Sequence, residues 1–431
     1  MVLRRISCLV AMVAMVQGTA VAGDGAMEET AVDVTVGPND ADVQGADSAA
    51  IQKAVDMALE KAPKGGARVL VKAGTYTLHN SIYLRGPITI KGERGKTILK
   101  KAPQYITRLA KPLAADAVKL EVEKAGPIKA GWGFSLNPGG PWVTSIRYAV
   151  AVQGNVITMD RPRNREYKYP QGALKAGARA QTSYPLIQVL GVVGVVIEDL
   201  ILDGNLEKNR DMAVEGCRNG GIYICADAPG QSGGKGGHVI RNCVVRNFAG
   251  DGISWQGPSD IVVEHVESMG NRGAGFHPGT ASMRTVIRNC KAHDNAACGI
   301  YVCWDVQHGR FEGNLIEKNG QAGISIGHGD SDCLYLKNTI RKNGWGGVEF
   351  RGDRPPPDRC TFRANIVEDN RGAGFRLRGR VTGTVLEKNT IRDTREAKAD
   401  RTQTIAIMSD SPVTLTDNTT EGELRVPGAS K

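Results

Sequence analysis

Residues 314–351 read NLIEKNGQAGISIGHGDSDCLYLKNTIRKNGWGGVEFR, and this stretch contains the repeat that decides the fold. Its asparagines, its Gly-apolar pair and its short apolar segments return after 24 residues. The Gly-apolar pair occurs at steps of 23 to 27 residues, at Gly252, Gly275, Gly299, Gly323, Gly347 and Gly374. A fixed period of this length predicts a solenoid of stacked coils.

Two series of asparagines keep step with the glycines. The first series is Asn247, Asn271, Asn295, Asn319, Asn343 and Asn370. The second series is Asn242, Asn289, Asn314, Asn338, Asn365 and Asn389. At equivalent turns, their amides can hydrogen-bond to the next coil and satisfy the backbone groups of the bend. We therefore expect two asparagine ladders along the solenoid.

Apolar and polar residues alternate around each glycine, as in Gly323-Ile-Ser-Ile and Gly347-Val-Glu-Phe. A second short apolar segment, such as residues 334–336, opens each repeat. This alternation is typical of short strands with one buried face. Because no helical pattern separates the strands and the repeat is shorter than a propeller blade, the sequence predicts an all-β fold, a parallel β-helix.

The composition agrees with a solenoid of short strands. The 431 residues include 54 glycines, 5% aromatic residues, 55 Lys and Arg, and 45 Asp and Glu. So many glycines without a three-residue period exclude collagen, coiled coils and helical bundles. At 41% hydrophobic residues, the chain can bury a core, which excludes global disorder. The net charge of +10 suits an anionic polymer as a partner.

The start of the chain has the pattern of a signal peptide. Arg4 and Arg5 precede an apolar run over residues 6–16, and Ala20 and Ala22 provide the small residues that a signal peptidase requires. The run is too short to cross a bilayer, which needs roughly 20 residues. We therefore predict cleavage near Ala22, a secreted or periplasmic location and no membrane span.

The positions of the helix pattern and of the repeats along the sequence also predict the domain organisation. Asp47 can cap a helix from Ser48 to about Lys61, which ends before Gly65. The predicted divisions are a signal peptide at 1–22, an N-terminal capping helix with the first coils at 23–102, a small inserted β subdomain at 103–185, parallel β-helix coils at 186–420 and a C-terminal tail at 421–431.

The segment from Asp47 to Tyr76 resembles the entry of the pectate-lyase-like superfamily. It contains Asp-Ser-Ala-Ala-Ile-Gln and Gly-Gly-Ala-Arg-Val-Leu-Val-Lys-Ala-Gly-Thr-Tyr, and the later coils resemble the repeat region of the same superfamily. The resemblance covers about residues 40–100 and 186–420. It implies a right-handed parallel β-helix, a fold shared by polygalacturonases, many lyases and viral tailspikes.

One short motif is similar to a stretch of the polygalacturonases. Gly323-Ile-Ser-Ile-Gly327 matches their Gly-Leu-Ser-Ile-Gly, and Asp251-Gly-Ile matches their Asp-Gly-Ile. Their Gly-His-Gly lead-in, their paired aspartates on the next coil and their Arg-Ile-Lys do not occur at the corresponding positions. We therefore transfer neither their mechanism nor their catalytic residues to this chain.

Eight cysteines follow the signal peptide, all between Cys217 and Cys360. An even number in an exported protein is compatible with disulfides. Cys243 and Cys290, however, stand in matching Arg-Asn-Cys contexts, as stacked interior side chains would. We therefore expect buried thiols, with Cys333 and Cys360 as the first pair to test for a bond.

The solvent-facing side of the repeated strand is the predicted functional face. If the residue after each glycine points inward, the next one points outward. The outward column is then Ser254, His277, Tyr301, Ser325, Glu349 and Arg376. Because coils stack about 4.8 Å apart, the turns that follow these strands also come together. The predicted catalytic residues are Asp305, His328, Asp330 and Glu349. The predicted substrate-binding residues are His277, Tyr301, Trp304, Arg351 and Arg376.

The sequence leaves three functions open. An exported glycoside hydrolase needs two carboxyl groups beside the glycosidic bond, and the carboxylates around His328 favour this function. A polysaccharide lyase or uronate epimerase needs a base, such as His277, His328 or Tyr301, and a cation against the substrate carboxylate, such as Arg351 or Arg376. The third function is a non-catalytic carbohydrate-binding or surface β-helix protein.

The expected partner is a polysaccharide or oligosaccharide, acidic in view of the positive charge, and the protein is expected to be a monomer. Nucleic acid is not expected, because aromatic residues are not interleaved with basic ones. The sequence pattern requires no cofactor. Calcium could bind at Asp330 and Asp332, although no loop has the dense ligand spacing that is typical of calcium sites.

Overall fold

The computed structural model describes residues 32–137, 145–162, 173–210, 216–226, 234, 236–395 and 405–428. The signal peptide predicted at residues 1–22 lies outside these ranges. Within them the chain winds repeatedly through three parallel sheets, called A, B and C, and a fourth, antiparallel sheet is inserted after the first coils. The prediction of an all-β parallel β-helix is therefore confirmed.

Sheet A consists of β1 (Val32–Gly37), β2 (Val43–Gln44), β3 (Ala67–Val71), β6 (Ile88–Gly92), β15 (Val196–Glu198), β18 (Val239–Arg241), β21 (Val262–Glu264), β24 (Val286–Arg288), β27 (Arg310–Glu312), β30 (Leu334–Leu336), β33 (Thr361–Arg363), β36 (Val385–Glu387) and β39 (Thr414–Thr416). Sheet B consists of β4 (Gly74–Leu78), β7 (Thr97–Lys101), β16 (Ile201–Asp203), β19 (Val244–Arg246), β22 (Glu267–Met269), β25 (Lys291–His293), β28 (Leu315–Glu317), β31 (Thr339–Arg341), β34 (Ile366–Glu368), β37 (Thr390–Arg392) and β40 (Thr419–Thr420). Sheet C consists of β5 (Ile82–Leu84), β14 (Ile187–Leu190), β17 (Ile222–Cys225), β20 (Ile253–Gln256), β23 (Phe276–Gly279), β26 (Ile300–Tyr301), β29 (Ile324–Ile326), β32 (Val348–Arg351), β35 (Phe375–Arg378), β38 (Ile405–Ser409) and β41 (Glu423–Arg425).

The core lies between the three sheets, where equivalent residues of successive coils stack in register. In sheet A, Phe311 pairs with Tyr335, and Tyr335 pairs with Phe362. Their rings are parallel within 8° and have centroids 4.6 and 4.5 Å apart. All three side chains are fully buried. Because each coil repeats the same inward positions, the apolar residues form one continuous column.

Two asparagine ladders hold the turns, as the sequence predicts. The first contains Asn271, Asn295, Asn319, Asn343 and Asn370. The second contains Asn314, Asn338, Asn365, Asn389 and Asn418. In both, each side-chain amide donates to the Oδ1 atom of the next asparagine at 2.9–3.0 Å. The same oxygen also accepts the backbone N–H of the preceding asparagine in the ladder.

Three asparagines that the sequence assigned to the ladders do not belong to them. Each lies one residue before the ladder position of its coil. Asn242, Asn247 and Asn289 have φ values of 54°, 60° and 53°, so they form left-handed turns, which asparagine tolerates better than most residues. The backbone N–H groups of Phe248 and Cys290 donate instead to the first asparagine of each ladder, at 3.0 and 2.9 Å. The period alone could not separate these two adjacent positions.

Helix α1 spans Ser48–Lys61 and lies against the first coils. The Oδ1 atom of Asp47 accepts the N–H of Ala50 at 2.9 Å, which satisfies one of the free donors of the first turn. The apolar face, including Ile51 and Val55, is buried and packs against β1 and β3. In the part of the chain with described coordinates, no helix is long and apolar enough to cross a bilayer.

The inserted sheet has its own core beside the first coils. Its strands are β8 (Ile106–Arg108), β9 (Lys119–Glu121), β10 (Gly133–Asn137), β11 (Ser145–Gln153), β12 (Val156–Met159) and β13 (Arg179–Thr182). Leu120, Phe134 and Ile157 belong to a separate cluster of buried residues. The Tyr148 hydroxyl is 2.9 Å from Oε1 of Gln188, a residue of sheet C, so the insert contacts the outer face of that sheet.

Within the described residues, none of the eight cysteines between Cys217 and Cys360 forms a disulfide, and seven of them are buried. Cys333 and Cys360, the first pair considered for a disulfide, are among the buried thiols. The coils continue into the segment that the sequence assigned to a tail, because β41 pairs with β38.

Candidate functional site

The outward side chains of sheet C form a strip, here called the trough, which runs from Ser254 to Arg376 and is taken to include the turn residues Trp304 and His328. Its in-register members are Ser254, His277, Tyr301, Ser325, Glu349 and Arg376. Ser254, Ser325 and Glu349 are buried although they face outward, and the side chains of Gln256, Arg351 and Arg378 contact them. The strand register agrees with the column that the sequence predicts.

His277 is paired with a carboxylate at one end of the trough. Its Nδ1 atom is 2.8 Å from Oδ2 of Asp251, whose Oδ1 accepts the N–H of Ala274 at 2.7 Å. The His277 side chain is 17% exposed. Burial by itself lowers the pKa of His277, but the charge of Asp251 and the hydrogen bonds to Asp251 and Cys303 raise it to about 10. His277 is therefore an imidazolium at neutral pH.

Arg351 occupies the middle of the trough. Its Cζ atom is 4.3 Å from the centre of the Tyr301 ring, and its Nη2 is 3.3 Å from Nδ1 of His328. Nη1 donates to the carbonyl oxygen of Val302 and to Oγ of Ser325, both at 3.0 Å. One guanidinium thus contacts a phenol ring on one side and an imidazole on the other.

His328 stacks on an exposed aromatic ring. The rings of His328 and Trp304 are 5.1 Å apart with an angle of 13° between them, and Trp304 is 47% exposed. Both residues have positive φ values, 49° and 77°, at the corner after the strand. Oδ2 of Asp353 lies 3.1 Å from Nδ1 of His328 and accepts Nε of Arg351 at 2.8 Å. The exposed part of the Trp304 ring offers apolar surface to solvent beside His328.

Gly327 provides the space in which Arg351 and Asp353 meet. A Cβ atom on Gly327 would lie 2.1 Å from Oδ2 of Asp353 and 2.5 Å from Nη2 of Arg351. We expect Gly327→Ala to displace both groups and to lower kcat by about 100-fold, since a misplacement of about 1 Å has an effect of this size. Steady-state kinetics on the active substrate would measure it.

The control for Gly327→Ala is Gly154→Ala, because a Cβ atom at Gly154 would have no neighbour within 4 Å. The φ of Gly154 is 58°, so alanine there costs about 1–2 kcal/mol of stability but leaves the site untouched. We expect this control to keep full activity. An unchanged kcat in Gly327→Ala, with a melting temperature equal to that of the wild type, would show that the positions of Arg351 and Asp353 do not matter for turnover.

Two of the predicted catalytic carboxylates differ in their exposure: Asp330 is buried, whereas Asp305 is partly exposed at the rim of the trough. Asp330 is 0% exposed, and its oxygens accept the N–H groups of Val306 and Gly327, both at 2.9 Å. Burial raises the pKa of Asp330 to about 7, although the two hydrogen bonds lower it. Asp305 is partly exposed beside Trp304, and its Oδ1 accepts from Nε2 of Gln307 at 2.7 Å. Asp330 therefore holds a turn, and Asp305 lies at the rim.

Glu349 joins the arginines at the far end of the trough. Its Oε1 atom is 3.2 Å from Nη2 of Arg378 and 4.0 Å from Nη1 of Arg376. The Glu349 side chain is mostly buried, whereas both arginine side chains are exposed. This end of the trough therefore presents cationic groups to solvent.

The two aspartates considered as calcium ligands, Asp330 and Asp332, each accept hydrogen bonds from other groups of the protein. Asp330 accepts backbone N–H groups, and Asp332 pairs with Nε and Nη2 of Arg359 at 2.7 Å each. Among the residues with described positions, no group of three or more His, Cys, Asp or Glu is arranged to hold a metal ion.

Three residues outside the predicted catalytic and substrate-binding sets also lie at the site, namely Asp251, Cys303 and Asp353. Cys303 lies 3.6 Å from Nδ1 of His328. Asp251 precedes its partner His277 by 26 residues in the sequence, which is slightly more than the length of one coil. The period places Asp251 on the neighbouring coil, but nothing in the sequence indicates the direction of its side chain.

Comparisons with known proteins agree with this architecture. A family model described as a right-handed β-helix region matches residues 210–355 and 326–426. The A-module of the mannuronan C-5 epimerase AlgE4 of Azotobacter vinelandii has a similar fold, with a TM-score of 0.54, 17% identity, and coverage of 88% of this chain and 94% of that one. No curated protein sequence matches the chain.

Two viral proteins also have a similar fold. Tailspike protein 2 of the Escherichia coli O157:H7 bacteriophage CAB120 has a TM-score of 0.51 and 10% identity, over 85% of this chain and 40% of that one. ORF18 of Geobacillus virus E2 has a TM-score of 0.50 and 12% identity, over 87% of this chain and 57% of that one. At these identities the similarity shows the fold alone.

Proposed function

The chain belongs to the right-handed β-helix family, and on this fold we propose that the trough removes a proton next to the carboxylate of a uronate in an acidic polysaccharide, as a lyase or an epimerase. The observation that carries the proposal is the position of Arg351 between the ring of Tyr301, at 4.3 Å, and Nδ1 of His328, at 3.3 Å. This reaction needs one cation against the substrate carboxylate and proton-transferring groups on either side of it.

In this proposal His328 is the base. The proposal requires the tautomer in which Nδ1–H of His328 donates to Asp353, with Nη2 of Arg351 in contact with this nitrogen but not donating to it, and in which Nε2 takes the proton from the sugar carbon. Trp304 stacks on His328 and supplies the platform on which the sugar ring binds. The electron pair left on the carbon is delocalised into the substrate carboxylate, whose negative charge Arg351 stabilises.

Tyr301 and His277 are the acids on the other side of Arg351. Burial raises the pKa of Tyr301, with the charge of Cys303 acting in the same direction and that of Arg351 opposing it, so the phenol stays protonated at neutral pH. The His277 ring lies edge-on to Tyr301, with the centroids 5.0 Å apart. Proton donation to the bridging oxygen breaks the glycosidic bond and gives a lyase, whereas donation to the opposite face of the carbon gives an epimerase.

At the level of sequence, the carboxylates around His328 favour glycoside hydrolysis. The geometry of the site supports hydrolysis less well than proton removal. Hydrolysis needs two carboxyl groups that both reach the bond, either about 5 Å or about 6.5–9.5 Å apart. Asp330 is fully buried and bonded to two backbone N–H groups, and Glu349 is engaged by Arg378. Hydrolysis stays a prediction that the assay below can detect.

The pH dependence tests the role of the His277 imidazolium. With the pKa of His277 at about 10, activity that requires its proton should persist up to about that pH and then fall. In Asp251→Asn, no negative charge opposes the effect of burial on the pKa of His277. The pH at which activity falls should therefore move down to the ordinary imidazole pKa of about 6.5 or below it. We expect about 100-fold lower kcat at about pH 8, with partial recovery below about pH 6.

Asp251→Asn keeps an oxygen that can accept the N–H of Ala274, so the turn should survive the change. Its melting temperature serves as the control for folding. A pH–rate profile identical to that of the wild type would exclude His277 as an acid in the reaction.

The reaction class is tested with polymannuronate, polyguluronate, polygalacturonate and a neutral polysaccharide in deuterated water. The similar fold of a mannuronan C-5 epimerase makes the first of these polymers a suitable starting substrate. Ultraviolet absorbance of unsaturated uronate would indicate a lyase, and deuterium in an intact polymer an epimerase. New reducing ends without either signal would indicate hydrolysis and would contradict the proposal, as would binding without turnover.

A further inference from the structure

The outward column of sheet C does not end at Ser254. It continues in strand register through Tyr223, Gln188 and Tyr83 on the three strands that precede Ser254 in the sheet. Tyr223 and Gln188 are only 4% and 5% exposed. Arg376, at the other end of the trough, has a side chain that is 42% exposed. The two ends of the column therefore differ in their access to solvent.

Two side chains cover the outward column beyond Ser254. The hydroxyl of Tyr148, on β11 of the inserted sheet, is 2.9 Å from Oε1 of Gln188, and its ring meets that of Tyr83 edge-on with the centroids 6.2 Å apart. On the next strand of sheet C, the guanidinium of Arg218 lies over the ring of Tyr223, with Cζ 5.9 Å from the ring centre. Tyr148 and Arg218, together with Gln188 and Tyr223 beneath them, are here called the closed end of the trough.

Further contacts attach the insert to the first coils. Nδ2 of Asn80 donates to the carbonyl oxygen of Gly131 at 2.7 Å, and Oδ1 of Asn80 accepts the N–H of Gly133 at 3.2 Å. Between these two glycines, the ring of Trp132 stacks on that of His79, with the centroids 5.5 Å apart. The insert is thus joined to the turn before β5 as well as to the face of sheet C, so the closed end is part of the packed fold.

The proposed reaction centre lies near the closed end. Because successive coils are about 4.8 Å apart, a polymer that contacts His277, Tyr301 and Glu349 lies along the axis of the solenoid. Only the coils of His277 and Ser254, about 10 Å in total, separate Tyr301 from the closed end. In the other direction the column continues over five more coils to Arg425, about 24 Å away. The trough therefore has room for a long polymer on one side of the reaction centre and for a short piece on the other.

We propose that the closed end stops an acidic polysaccharide that lies in the trough, so that the protein binds the end of a chain and acts on the units near that end. Tyr148 and Arg218 are the side chains that set this limit. The inference deepens the proposed function and rests on it for the substrate class, a polymer of uronates. The closed end takes no part in proton transfer; it determines which units of the polymer can reach Arg351.

Binding of end-labelled oligomers tests the closed end without depending on turnover. The probes are hexamers of mannuronate, guluronate and galacturonate, each unlabelled, with a bulky fluorophore on the reducing end, or with the same fluorophore on the non-reducing end. Affinities for the full chain are measured by rapid mixing and competition, before turnover changes the oligomers. One labelled form should bind about 10-fold more weakly than the unlabelled hexamer, because its label meets the closed end, and the other labelled form should bind as the unlabelled hexamer does.

Two variants test the part of Tyr148. Tyr148→Ala removes the ring that covers Gln188, so it should restore about fivefold of the affinity that the excluded label costs. Tyr148→Phe is the matched control, because it keeps the ring and removes only the hydroxyl, and it should discriminate between the labels as the wild type does. The melting temperature and the affinity for the unlabelled hexamer show that both variants are folded. Equal affinities of the two variants for the excluded label would overturn the assignment of Tyr148.

The outcomes separate this inference from the proposed function. Equal affinities for the two end-labelled hexamers would overturn the closed end, even where proton removal from the polymer is observed. A preference for one labelled end without any turnover would support the closed end and contradict the proposed reaction. An absence of binding by every hexamer would contradict both.

Discussion

Replacing His328 with asparagine is expected to lower kcat on a uronate polymer by about 1000-fold, within the range for loss of a general base. Asparagine accepts the left-handed backbone at this position, where φ is 49°, so the corner after β29 keeps its shape. The amide can still occupy the space beside Trp304 and Asp353, but it cannot take a proton from carbon. Initial rates at saturating substrate, followed by product absorbance or deuterium exchange, measure the effect.

The matched control is His308→Asn. His308 is exposed, lies one coil away near Asp305 and also has a positive φ, 55°. It has no role in the proposed reaction, so its replacement should change kcat by less than about twofold. Equal rates for the two variants would remove His328 from the site. A rise in KM with an unchanged kcat would assign His328 to substrate binding and contradict its role as the base.

Removing one amide from the first ladder is expected to have the largest effect on stability. Asn319 accepts the backbone N–H and the side-chain amide of Asn295 at 3.2 and 3.0 Å. It also donates to the carbonyl oxygen of Ala292 and to Oδ1 of Asn343, both at 3.0 Å. In Asn319→Ala these buried groups lose their partner, so the free energy of unfolding should fall by about 3–5 kcal/mol.

The control for the ladder is Asn289→Ala. Asn289 is the same residue type in the same repeat pattern, but it is exposed and forms a left-handed turn one residue before the ladder position. Alanine there should cost about 1 kcal/mol, chiefly because it disfavours a positive φ. Denaturant unfolding followed by circular dichroism measures both variants. A loss for Asn319→Ala no larger than for Asn289→Ala would mean that the ladder contributes little to stability.

Several features of the trough followed from the sequence. The 24-residue step placed His277, Tyr301 and Glu349 in one outward column, and the observed strand pairing has the same order. The same step brought Trp304 and His328 to neighbouring corners, where their rings stack. Both results depend only on the period and on the alternation of side chains along a strand.

The carboxylates were harder to place from the sequence. Asp330 follows the strand at a spacing similar to that of Asp305, yet Asp330 turns under the backbone to accept two N–H groups while Asp305 remains at the rim. Asp251 precedes its strand and still reaches His277 on the next coil. A period gives the coil and the corner of a residue, but it does not give the rotamer of its side chain.

The amino-acid order alone was sufficient for the winding of the chain, the stacking of its coils and the face that carries polar groups, because these properties repeat locally from coil to coil. The chemistry of the trough depends on contacts between coils that do not repeat. Arg351 lies between Tyr301 and His328 because Gly327 leaves room for it and Asp353 holds it there. Such contacts require the reach and direction of each side chain, which only the packed tertiary structure defines.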